Sequence, residues 1–198
     1  MLQKRSTTLV RQKQIINAAA KLIVKYGSEH VTVRRIAKEI GTSESAIYRH
    51  FKSKKDILSL LVDDIENSLL SDFESYINRP CTLKTLESVF MNHMSHIVQR
   101  RGVSFQVIAE IVSLGDKKLN KKVCDAISMY TNRIRDVLSE GVKAGVVRRD
   151  IDLEAMSTLF FGMTQGLVNI WTLSQYSFDL EQKYASLWHI FREAVIKR

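Results

Sequence analysis

The densest run of hydrogen-bonding and cationic side chains lies between positions 42 and 55. It holds Thr42, Ser43, Ser45, Tyr48, Arg49 and His50, followed by Lys52, Lys54 and Lys55. A guanidinium fork suits the O6/N7 edge of guanine, hydroxyls pair with base edges or phosphates, and lysines neutralise phosphate oxygens. On a helix turning 100° per residue, with Ile47 at the centre of a buried face, Ser43 and Phe51 fall within about 40° of it. Thr42, Ser45 and Arg49 then point the other way, flanked by Ala46 and Tyr48. An outer surface this short admits a helix to a major groove. A helix N-terminus at Thr42 or Ser43 offers backbone N–H groups to the same anions. Glu44, the one acid of the run, caps the helix or accepts from a cytosine N4.

Other constellations carry less. His93 and His96 are three apart on a predicted helix, but no third ligand stands out and no metal is expected. Cys81 and Cys124 make neither a disulfide framework nor a zinc quartet. There is no phosphate-binding glycine loop, no nucleophile elbow and no carboxylate pair in an acid/base setting. The sequence therefore nominates no enzyme and no cofactor.

Short basic helices must hold the 42–55 run in place. Ile15, Ile16, Ala19, Leu22, Ile23 and Tyr26 share one helical face, and Gly27 stops it. Thr32 caps a second helix carrying Val33, Ile36, Ala37 and Ile40, ended by Gly41. The third runs to about His50, and Ser53-Lys54-Lys55-Asp56 reads as a capping box opening a fourth to about Ile77. Asn78-Arg79-Pro80-Cys81-Thr82 is the clearest break. Five further helices are predicted over 83–99, 104–114, 117–144, 152–173 and from 179 onward. With 198 residues, eight Gly and one Pro, the expectation is all-α, about nine helices. Residues 1–54 would form a helix-turn-helix domain and 55–198 a helical bundle.

Charge singles out the same region. Residues 1–55 hold thirteen Lys/Arg against three acids, while the rest of the chain is one negative charge from neutral. That footprint suits nucleic acid or an anionic membrane surface, and a solubilising surface is the bland alternative. No apolar run approaches the roughly 18 residues that cross a bilayer, and no signal-peptide block opens the chain. A cytoplasmic location is expected.

Residues 33–50 fit a helix-turn-helix: small Ala37 at a close crossing, Gly41 four later, Ile47 plugging back. Thr32-Val33-Arg34-Arg35-Ile36-Ala37-Lys38-Glu39-Ile40-Gly41 and Ser45-Ala46-Ile47-Tyr48-Arg49-His50-Phe51-Lys52-Ser53-Lys54-Lys55 resemble the N-terminal signature of TetR/AcrR transcriptional regulators. The resemblance implies a homodimeric repressor that binds a palindromic double-stranded DNA operator and is released by a small-molecule effector. It implies that Tyr48, His50 and Lys54 touch phosphates while Thr42, Ser43, Ser45 and Ala46 approach bases. Position 49, often a second Tyr in the family, is Arg here; guanine reading by Arg49 is inferred from its chemistry alone. Thr32, Arg34 and Lys52 complete the expected DNA-binding set.

The resemblance places an effector site and a dimer interface in the second half. Apolar or aromatic candidates for the effector core are Phe90, Met94, Ile97, Phe105, Ile108, Met129, Tyr130, Phe160 and Met163, with Gln165. His93, Glu110 or Arg133 would be polar contacts. Their aromatic and Met content favours an apolar effector, such as a hydrophobic drug or an acyl chain. The 152–173 helix is apolar on two sides, so it must face its own core and something else, a partner chain being simplest. Phe161, Val168 and Trp171, with Tyr184, Leu187, Trp188 and Phe191 of the last helix, are the expected dimer contacts. A larger monomer core is the alternative. At the level of function, a basic architectural or membrane-surface protein and an enzyme with a basic substrate site stay open beside the regulator.

Overall fold

The computed structural model describes residues 2–27, 31–74 and 82–196. Among the described residues there are nine α-helices. They are α1 Leu2–Tyr26, α2 Val33–Glu39, α3 Glu44–Tyr48, α4 Lys54–Glu74, α5 Leu83–Gln99, α6 Val103–Leu114, α7 Lys117–Lys143, α8 Leu153–Leu173 and α9 Leu180–Val195. The all-α expectation holds, with one isolated antiparallel bridge between Val147 and Ile196. The expected end of the fourth helix near Ile77 and the break at Asn78–Cys81 lie outside the described residues.

Caps fix the helix starts where side-chain oxygens meet orphan N–H groups. Thr32 accepts from Arg35 N at 3.2 Å and Ser43 from Ala46 N at 3.2 Å. The box opening α4 is reciprocal: Asp56 N donates to Ser53 Oγ at 3.3 Å, and Ser53 N to Asp56 Oδ2 at 3.0 Å. Asp152 and Asp179 cap α8 and α9 in the same way. Gly27 and Gly41 end α1 and α2 at φ +83° and +65°, a region costly for any residue with a Cβ.

The chain forms two compact units: Met1–Ile65 with Val103–Cys124, and Glu66–Gly102 with Asp125–Arg198. In the first, α2 packs on α1 and α3, and α1 also meets α6. Ile15, Ala19 and Ile23 of α1, Ile36 of α2, Ile47 of α3 and Phe51 fill its core. Two short helices crossing steeply bury little area alone, so α1 supplies the third wall. Tyr26 departs from the expected stripe. It is 46% exposed, with Arg35 5.6 Å and Lys25 4.9 Å from its ring centre. In the second unit α9 packs on both α5 and α8 around a cluster of aromatic rings.

Candidate functional site

The third helix is built to show one face outward. Ile47 is fully buried and Phe51 nearly so, which anchors α3 from behind. Ser43, Ser45, Tyr48 and Arg49 are exposed, Thr42, Ala46 and His50 half-buried. The helix is shorter than the sequence suggested, ending at Tyr48 with Arg49 as its C-cap. Ser43 is the N-cap, and its Oγ lies 2.9 Å from that of Ser45, so the two hydroxyls form a linked pair at the helix start. Exposed Arg34, Arg35 and Lys38 line α2, with Thr32 exposed at its N-cap. Hydroxyls, one phenol and guanidinium forks on a face with a rigid backing can contact both base edges and phosphates.

The lysines after α3 divide. Lys52 is exposed. Lys54, expected at a phosphate, donates its Nζ to Glu110 Oε1 of α6 at 2.6 Å, with Glu110 only 9% exposed. Lys55 likewise donates to Asp116 at 2.6 Å, where Asp116 also caps α7 through Lys118 N and Leu119 N. Lys55 and the two N–H groups hold the Asp116 carboxyl below the usual carboxylate range. Both lysines fasten the start of α4 to the α6–α7 corner. Glu110, read from sequence as an effector contact, is thereby a structural partner of Lys54. Its twelve-residue helix and apolar neighbours Val107 and Ile111 gave no sign of that pairing.

The expected effector residues fall in both units. Phe105 and Ile108 belong to the first; Phe90, His93, Met94, Ile97, Tyr130 and Phe160 are buried in the second. Tyr130 and His93 share a 2.7 Å hydrogen bond between OH and Nε2, and Phe73 packs against both rings. Phe90 and Phe160 stack at 4.3 Å between centroids. Arg133, Met163 and Gln165 are half-buried, Gln165 donating to Asn169 at 3.2 Å, whereas Met129 is exposed. Among the described residues no three His, Cys, Asp or Glu gather as a metal site. Among the described residues no helix is long and apolar enough to cross a membrane.

Two family models match the chain: bacterial regulatory proteins of the tetR family over residues 15–61, and the C-terminal region of YsiA-like protein over residues 47–194. The chain belongs to the TetR/AcrR family. It is a ligand-responsive DNA-binding regulator and not an enzyme, and members of this family bind DNA and small molecules as dimers. A fatty acid metabolism regulator protein of Bacillus subtilis is 27% identical, with 91% of each chain covered. The nucleoid occlusion factor SlmA of Sodalis glossinidius is 21% identical over 95% of this chain and 96% of its own. The fold matches that of the transcriptional regulator FadR of Bacillus subtilis in complex with stearoyl-CoA. Their TM-score is 0.77 at 24% identity, over 90% of this chain and 96% of that one.

For a TetR-family chain, the placement of the expected dimer residues is informative. Val168, Trp171, Tyr184, Trp188 and Phe191 lie in the chain's own core, and only Phe161 and Leu187 are half-buried. The large aromatic residues won the interior because they remove the most apolar area from water. On α8 and α9 the large apolar side chains left exposed are Leu159, Ile170, Leu173 and Ile190. The sequence showed an α8 apolar on two sides but not which side faced inward.

Proposed function

We propose that the protein is a cytoplasmic homodimeric repressor whose α3 enters the major groove of a palindromic operator and whose release is triggered by an acyl-chain effector. Residues 1–54 carry the reading head and 55–198 the effector and dimer functions. The observation that carries the reading is the α3 face: Ser45, Tyr48 and Arg49 outward, fixed by a buried Ile47. Arg49 and the Ser43–Ser45 pair contact bases; Tyr48, His50, Lys52, Thr32 and Arg34 hold phosphates. Lys54 acts through Glu110 and positions the head rather than gripping DNA.

Dimerisation is assigned to the outer stripe of α8. Ala155, Leu159, Gly162, Gly166, Ile170 and Leu173 fall within about 60° of one line along the helix, opposite buried Phe160, Thr164 and Trp171. Glycine inside a helix costs roughly 0.5–1 kcal/mol relative to alanine. A Cβ added at Gly162 or Gly166 meets nothing within 4 Å in this chain, so the reason for two glycines lies outside it. A partner helix approaching closely supplies that reason. The acyl effector is supported by the buried aromatic core and by two relatives, a fatty acid metabolism regulator and a regulator in complex with stearoyl-CoA.

Selection of bound duplexes from a random pool, followed by titration at several salt concentrations, tests the reading. The expected product is a palindromic site whose affinity falls steeply with salt, about 10³–10⁵-fold between 50 and 200 mM for six to ten phosphates. Arg49→Ala relaxes one base position per half-site, while Tyr48→Ala weakens binding to all sequences. Equal affinity for the selected site and random DNA at physiological salt overturns it.

A further inference from the structure

One side of α9 carries a ladder of buried hydrogen-bond donors with nothing to receive them. Tyr184, Trp188 and Arg192 stand four residues apart, hence nearly in line along the helix. Tyr184 OH, Trp188 Nε1 and Arg192 Nε are shielded from solvent and have no hydrogen-bond partner. Across from Tyr184 lies Thr164 of α8, 1% exposed, whose Oγ1 is equally unpartnered. The two hydroxyls interact, but not in the geometry of a hydrogen bond. Indole and guanidinium N–H groups donate only. Burial pushes the Tyr184 phenol well above its usual range, so it keeps its proton and donates too.

Such groups are expensive. A buried donor left unpaired forfeits the hydrogen bond it made to water, and native cores seldom tolerate several together. The neighbouring His93–Tyr130 pair satisfies itself at 2.7 Å. The unpartnered acceptor Gln165 Oε1 belongs to the same unit but is turned 100° from Thr164 around α8. What this side of α9 lacks is an oxygen acceptor in hydrogen-bonding position, since the Thr164 hydroxyl is not so placed. Around it stand the rings of Phe90, Phe160 and Phe191, which make the surroundings apolar and any hydrogen bond formed there strong.

We propose that the α8–α9 face formed by Thr164, Tyr184 and Trp188 is a subsite for the carbonyl oxygen of an acyl ligand, with Arg192 as the next donor along the helix. The inference rests on the acyl-effector reading and adds which ligand atom is recognised and by which residues. Free acids and thioesters share that oxygen. The apolar chain lies against the aromatic rings, and the carbonyl relieves donors that the unliganded core leaves unmet.

Calorimetric titration of the full chain with hexadecanoyl-CoA, S-hexadecyl-CoA and hexadecanoic acid decides the matter, because the first two differ only by C=O against CH2. The wild type should bind the acyl thioester, or the acid, about tenfold or more tighter than the alkyl thioether, the equivalent of one charge-free hydrogen bond. Tyr184→Phe and Thr164→Val should each narrow that preference to about threefold or less. Tighter binding of the acid, lost in Arg192→Gln, supports the subsite with the carboxylate as its source; tighter binding of the thioester supports it with the ester as source. Equal binding of acyl and alkyl forms overturns it. So does a Tyr184→Phe protein that melts higher while keeping the full acyl preference. If all three compounds bind alike and release the operator, the acyl reading stands and only the subsite falls. If none binds, both fall.

Discussion

The two compact units differ in how far their polar groups are met within the unit. In the first, charged side chains are matched: Lys54 with Glu110, Lys55 with Asp116, Lys122 with Asp63 and Ser59, Lys13 with Asp64, Lys21 with Glu39. Of six unpartnered buried polar atoms among the described residues, Asn120 Oδ1 belongs to this unit and the other five to the second. Directional pairs hold short helices in one arrangement, which a reading surface needs before it meets DNA. A core with unmet donors is instead incomplete by itself, and a second molecule can stabilise it by completing the hydrogen bonds.

The largest effect that separates the units is the loss of apolar packing. Phe160 is fully buried, with Phe90, Phe191 and Tyr184 ring centres at 4.3, 5.3 and 6.3 Å. Phe160→Ala should cost about 3–5 kcal/mol, read by chemical denaturation. Ile47→Ala removes a smaller side chain but the anchor of α3, so it should cost about 2–5 kcal/mol and abolish operator binding as well. Retained operator binding in Ile47→Ala would mean that the α3 face does not depend on its backing.

Next comes the clasp of α4. Removing one member of a largely buried ion pair leaves the other charge unmet, whereas replacing both by apolar groups is often neutral. Glu110→Ala should therefore destabilise by about 1–3 kcal/mol, since Lys54 stays partly hydrated. It should also weaken operator binding by loosening the start of α4. The double variant Lys54→Met with Glu110→Leu should recover most of the stability, and a double-mutant cycle on melting and on operator affinity measures the coupling. If Lys54→Ala weakens operator binding fully as much in a Glu110→Leu background, Lys54 contacts DNA and the positioning role is wrong.

Legibility in the sequence followed the range of the interaction. Helix starts at Thr32, Ser43, Ser53, Asp152 and Asp179 were readable because a cap is a contact across two or three residues. On α3 the burial of Ile47 and the 100° turn put Ser45, Tyr48 and Arg49 outward, but Ser43, expected beside Ile47, is exposed because it caps the helix in extended backbone, and Thr42, expected outward, is half-buried. Long-range choices were not readable. Lys54 meets Glu110 across 56 positions and Lys55 meets Asp116 across 61, and the charge run alone gave no sign of either pairing. Two sides of α8 are apolar to a similar degree in the sequence; only packing against α9 decided that Trp171 turned inward and Leu173 outward. Thr164 passed unnoticed, since a lone threonine in an apolar helix carries no pattern.

The smallest test is of acidity, and it again sets one unit against the other. Asp116 is held in its charged form first by Lys55 and then by the Leu119 N–H, below its ordinary 3.8. A depressed carboxyl contributes stability that is present above 3.8 and is lost as pH falls through the folded value. Tyr184 is the reverse case. Burial raises it well above 10.0, so its contribution is complete below 10.0 and is lost as pH climbs beyond. Melting temperature followed from pH 7 down to 2 and up to 11 should thus show two limbs of different origin. Asp116→Asn should flatten the acid limb slightly and leave the alkaline one; Tyr184→Phe should do the opposite, and more strongly, because its group is buried. An acid limb unchanged in Asp116→Asn would mean that the Lys55 pair is too well hydrated to couple to folding, which is the common fate of an exposed ion pair.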